Sequence, residues 1–74
     1  MNNETINKIH SKALRYWLKE TNTLPKALAY ELDIGVGTVY KWVRGEKKIP
    51  NYRLDQIVKH FGINLYLFLG KGWE

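Results

Sequence analysis

Leu28-Ala29-Tyr30-Glu31-Leu32-Asp33-Ile34-Gly35-Val36-Gly37-Thr38-Val39-Tyr40-Lys41-Trp42-Val43-Arg44-Gly45 is the stretch on which the fold turns. Ala27, Leu28, Ala29 and Leu32 predict the buried side of a short helix starting near Pro25, where proline fits the first turn without losing a needed N–H. Thr23 or Leu24 then stands at the N-cap, and only Thr23 has a hydroxyl suited to it. Gly35 and Gly37 interrupt any longer helix, so this one ends between Asp33 and Gly35. A second helix, Val36 to Arg44, is closed by Gly45. Ile34, Val39 and Trp42 supply apolar contacts to the pair, and the small Ala29 lets the second helix approach closely. Two helices joined by so short a turn cross steeply, so Pro25 to Val43 reads as a helix-turn-helix.

The flanks read as helix too. Ile6, Ile9, Ala13, Leu14, Trp17 and Leu18 recur at three- and four-residue steps from Thr5 to about Thr21, with Lys8, Lys12, Arg15 and Lys19 turned away. Thr21-Asn22-Thr23 breaks that pattern. Beyond the basic loop 45–49, Pro50 opens a helix carrying Leu54, Ile57, Val58 and Phe61, which stops at Gly62. Asn64 caps a last helix, Leu65 to Leu69, ended by Gly70. No stretch alternates as a strand does. The expected fold is all-α: five short helices in one domain spanning 1–74, with 70–74 compatible with the start of a linker or a short tail.

Composition narrows the function classes. There is no cysteine, which excludes disulfides and thiolate metal sites and fits a reducing cytosol. The polar Met1-Asn2-Asn3-Glu4 lacks the order of a signal peptide, and the apolar run 65–69 is too short to span a bilayer. A net charge of +5 favours an anionic partner. Lys41, Arg44, Lys47, Lys48 and Arg53 fall between 41 and 53, opposed only by Glu46.

The second helix of the pair gives that charge a direction. Val39, Trp42 and Val43 point to the core, while Gly37, Tyr40, Lys41 and Arg44 share the opposite face. Two cations, a tyrosine and a gap suit a groove lined with acceptors and phosphates; the competing reading is a solvated helix face. By period Val36 lies near Val43, yet at the first turn it stands where it can meet a thymine methyl. His10 and His60 have no second ligand at metal-site spacing, and no catalytic triad, paired carboxylates or phosphate-cradling loop can be assembled. Neither an enzyme nor a cofactor is expected.

Residues 28–32 and 35–45, with the Trp42-x-x-Gly45 spacing and the following Lys48-Ile49-Pro50, resemble the lambda-repressor/Cro-like helix-turn-helix family, most nearly its phage-repressor branch. The resemblance covers about Leu14 to Gly70. It implies double-stranded DNA as partner, with the second helix of the pair in the major groove and base contacts from Val36, Gly37, Thr38, Tyr40, Lys41 and Arg44. It also implies phosphate contacts from Lys26 beside a helix N-terminus, from Lys47 and Lys48, and from Asn51, Tyr52 and Arg53. Asp33 stands where the family usually has glycine, and aspartate is among the few residues that tolerate the left-handed backbone wanted there. Gly35, Val36 and Gly37 stand where serine and polar residues are usual, so specificity is expected from Lys41, Tyr40, Thr38, methyl contacts and DNA shape.

Tyr66 and Leu67 have no inward role once Ile63, Phe68 and Leu69 fill the core, which points to an interface; the competing reading is a snug fifth helix with one stray leucine. In the resembled family the last helix contributes to a homodimer. The expectation is thus a cytoplasmic, sequence-specific transcription regulator of phage or prophage repressor type. The alternative is an antitoxin or other protein-interaction module on the same fold.

Overall fold

Four of the five helices end in the same way, and those endings set the architecture. The computed structural model describes residues 2–74 and is all-helical: α1 (Asn3–Glu20), α2 (Pro25–Leu32), α3 (Val36–Val43), α4 (Asn51–Phe61) and α5 (Leu65–Trp73). Asn22, Asp33, Gly45 and Gly62 follow α1 to α4 and all take the left-handed conformation. At each, the next N–H bonds back to a carbonyl of the last turn: Thr23 to Leu18, Ile34 to Ala29, Glu46 to Lys41 and Ile63 to Val58. These bonds satisfy carbonyls a helix end would otherwise orphan, and they turn the chain sharply with very few residues. Asp33 accordingly adopts φ 56°, as expected for the residue at that turn.

Each helix packs mainly on two neighbours. α1 lies along α5 and touches α3; α3 packs on α2, α2 on α4, and α4 on α5. The five thereby close a ring around Leu14, Leu28, Val39, Trp42, Ile57 and Phe68, all buried. The radius of gyration, 11.0 Å, matches the roughly 11 Å of a well-packed chain of this length. Ile49, from the basic loop, is buried in the same cluster and pins that loop to the core.

Several boundaries differ from those expected. α1 begins at Asn3, because the Asn2 side chain accepts from the Thr5 N–H at 2.8 Å and caps it earlier. The N-cap of α2 is Leu24, with no side-chain bond. Thr23 is engaged elsewhere: its N–H closes the end of α1 and its hydroxyl meets that of Thr21 at 2.8 Å. Ala27, expected on the buried side of α2, is exposed. Arg44 is the C-cap of α3 and not its last residue.

The largest difference is in α5, which runs through Gly70 to Trp73. Gly72 is buried against α1, where a Cβ would lie 2.3 Å from the Ile9 carbonyl oxygen. Close packing against α1 overrides the weak helix propensity of two glycines. Residues 70–73 thus continue the helix beyond the end expected at Gly70.

Candidate nucleic-acid interface

The eight residues of α3 divide cleanly. Val39 and Trp42 are buried, Val43 is half-buried, and Val36, Gly37, Tyr40 and Lys41 are exposed, with Thr38 at the boundary. Arg44, one residue on, is exposed as well. All six positions expected to contact bases are therefore at least partly open to solvent, and four of them occupy one outward stripe.

Both ends of α3 matter. Its C-terminus is tied to α1: the buried Ser11 donates its hydroxyl to the Val43 carbonyl at 2.6 Å, and the Arg15 guanidinium donates to the same oxygen at 2.7 Å and to the Ser11 hydroxyl. A guanidinium at a helix C-terminus also meets the negative end of the helix dipole favourably. In the sequence Arg15 reads only as part of the outward face of α1, and Ser11 carries no signal of this contact. At the other end Gly35 offers no side-chain cap, so the first N–H groups of α3 are unclaimed by a side chain. α2 and α4 likewise start without side-chain caps, whereas α1 and α5 are capped by Asn2 and Asn64.

The expected phosphate contacts fall into two groups. Lys26, Lys47, Lys48, Asn51 and Tyr52 are exposed. Arg53 is half-buried and partly committed within the fold. Its Nη1 donates to the Leu32 carbonyl at 3.2 Å and to Gln56 Oε1 at 2.9 Å, and its guanidinium lies 4.9 Å from the Tyr52 ring centre. It holds the start of α4 against the end of α2.

Arg44 is paired. Its Nε donates to Glu46 Oε2 at 2.7 Å and its Nη2 to Oε1 at 3.3 Å. This hydrogen bond holds the Glu46 carboxyl below its ordinary range, with Lys41 adding a smaller attraction. It also raises the Arg44 guanidinium above its ordinary value.

Beneath the loop, His10 is half-buried with its Nδ1 shielded from solvent and without a protein partner. Burial, and secondarily the charge of Lys48, lowers its pKa and favours the neutral imidazole. Among the described residues no cluster of three or more His, Cys, Asp or Glu side chains gathers to hold a metal. No helix there is long and apolar enough to cross a membrane.

On α5, Tyr66 is 86% exposed and Trp73 63%, and both line an open notch of about 420 Å³ with Leu69 and Gly70. Leu65 and Leu67 are exposed beside them. Phe68 is buried, while Ile63 and Leu69 pack partly against the core, leaving Tyr66 and Leu67 outside. Trp17 is half-buried and donates its Nε1 to the Phe68 carbonyl at 3.3 Å.

Comparison of the chain with models of known protein families, with curated proteins and with solved structures returns no match.

Proposed function

We propose that α2 and α3 form a DNA-binding helix-turn-helix and that the protein is a sequence-specific transcription regulator, a repressor of phage or prophage type. The observation that carries this reading is the division of α3. Its inward residues are locked into the core, its end is bonded to α1, and its outward stripe presents Gly37, Tyr40, Lys41 and Arg44. Such a helix is a rigid rod with a polar, cationic outer edge and a gap at Gly37 where a groove wall can approach. Exposed Lys47 and Lys48 follow it, and the uncapped starts of α2 and α4 add N–H donors beside Lys26 and Asn51. Those groups set register on the phosphates, while Lys41, Tyr40, Thr38 and the Val36 methyls meet base edges.

Binding to DNA is accordingly expected to weaken steeply with salt, with a slope set by the phosphates neutralised. Lys41→Ala weakens the preferred site by more than random DNA; Lys47→Ala weakens both alike. Random-site selection followed by a salt titration tests this. Salt-independent binding, or a selection that yields no preferred site, refutes the regulator reading.

The apolar side of α5 supports a further part of the proposal, a homodimer through Tyr66 and Leu67 that places two α3 helices on successive half-sites. The same exposed patch favours the second reading, an antitoxin or other protein-interaction module. Sedimentation of wild type and Tyr66→Lys separates these. A wild-type dimer that becomes monomeric supports the first, and a wild-type monomer leaves the patch for a different partner.

A further inference from the structure

We infer that Glu46 is a positioning residue that aims the end of the Arg44 guanidinium at the O6/N7 edge of a guanine. The inference rests on the DNA-binding reading above and deepens it. A guanidinium carries five N–H donors in one plane. Glu46 takes its flank, with Nε donating to Oε2 at 2.7 Å and Nη2 to Oε1 at 3.3 Å. The distal edge, formed by Nη1 and the second Nη2 hydrogen, has no other acceptor among the described residues. That edge holds two N–H groups side by side, the geometry that matches two neighbouring acceptors. In the major groove, guanine is the base that offers such a pair.

A phosphate also offers two oxygens, and two observations favour the base. Arg44, the C-cap of α3 with helical backbone, continues the outward stripe of Tyr40 and Lys41 and precedes the loop of Lys47 and Lys48. The Glu46 carboxylate also cancels the Arg44 charge locally. A neutralised pair attracts a phosphate poorly, yet it keeps its hydrogen-bonding edge intact.

The pair is built by the turn. Gly45, at φ 73°, reverses the chain after Arg44, and the Glu46 N–H bonds to the Lys41 carbonyl at 2.9 Å. This fixes the backbone of Glu46 against the last turn of α3, from where its side chain reaches back. Both side chains are about half exposed, 52% and 55%, and such pairs contribute little to stability. What the pair supplies is orientation: it favours the Arg44 rotamer that presents the distal edge before DNA arrives.

The test is random-site selection with wild type, Glu46→Ala, Glu46→Gln and Arg44→Lys, with affinity measured on the selected site, on single-base variants of it and on random DNA, and with thermal melts as a folding control. The wild type is expected to select a guanine in each half-site that Arg44→Lys no longer prefers. Glu46→Ala is expected to lower the preference for that guanine about two- to fivefold. Its binding to random DNA holds or strengthens, and its melting temperature is unchanged. Glu46→Gln, which keeps one acceptor for Arg44, falls between the two. The inference is overturned if Glu46→Ala leaves the guanine preference intact. It is equally overturned if that variant changes affinity for every sequence alike, which would make Glu46 a simple charge brake and Arg44 a phosphate contact. Failure of the underlying reading shows separately, as a wild-type protein that does not bind DNA, and it overturns both.

Discussion

Replacing Gly72 with alanine would put a methyl group 2.3 Å from the Ile9 carbonyl oxygen, 2.7 Å from Ile9 Cγ2 and 3.0 Å from the carbonyl carbon. Carbon atoms in good contact sit about 3.5–4.0 Å apart, so α1 and α5 must separate there by roughly 1 Å. Forcing extra volume into a packed seam costs about 1–3 kcal/mol. Against this, alanine is the better helix former by about 0.8–1.0 kcal/mol. The net expectation for Gly72→Ala is a loss of up to about 2 kcal/mol. Gly70→Ala is the internal control: it lies in the same helix with nothing within 4 Å of its added Cβ, so the propensity gain stands alone. For a domain of this size 1 kcal/mol moves the melting temperature by about 4–8 °C. Thermal and urea unfolding should therefore place Gly72→Ala below wild type and Gly70→Ala above it. Ile9→Ala removes Cγ2 but leaves the carbonyl, so it should not rescue Gly72→Ala. A Gly72→Ala protein as stable as Gly70→Ala would refute the close approach of the two helices.

Three further outcomes follow from single contacts. Ser11→Ala deletes a buried hydroxyl bonded to the Val43 carbonyl and should cost about 1 kcal/mol in urea unfolding, with faster hydrogen exchange in the last turn of α3. Asp33→Gly relieves a left-handed non-glycine residue and should stabilise by up to about 1 kcal/mol, while Asp33→Val, β-branched, should destabilise; equal urea midpoints for the two would contradict the φ of 56°. The folded-state pKa of His10 lies below its unfolded value of 6.5, so above that pH both states are neutral and His10 contributes nothing. As pH falls through 6.5 the unfolded chain binds the proton first, and stability drops until the folded pKa is passed. Urea midpoints between about pH 7 and pH 5 should fall for wild type and fall less for His10→Gln.

Much of this architecture was legible in the sequence because it is local. The endings at Asp33, Gly45 and Gly62 are written in residues that tolerate a left-handed backbone, and the outward stripe of α3 follows from spacing alone. What escaped is tertiary. Ile49 is core, but it lies in a loop where no period reveals it. Ser11 is buried because a carbonyl from α3 waits for it, a fact no pattern on α1 carries. Thr23 is a good cap in isolation, yet its hydroxyl and N–H are claimed by the end of α1. The helical run to Trp73 defies glycine's propensity because Ile9 needs a neighbour without a side chain. Within the candidate site, the Arg44 stripe was readable, while the Glu46 fork across it depended on the turn at Gly45.

The ring of helices also has an order in time. α2, α3 and α4 find their partners among near neighbours in the chain, but α1 finds its main one in α5. Translation proceeds at about 5–20 residues per second, so the apolar stripe of α1 waits several seconds in the nascent chain before Gly72 exists to cover Ile9. During that interval the α1 stripe lacks its main cover, α5. Of these five helices, the first in order along the chain thus has its main packing partner in the last.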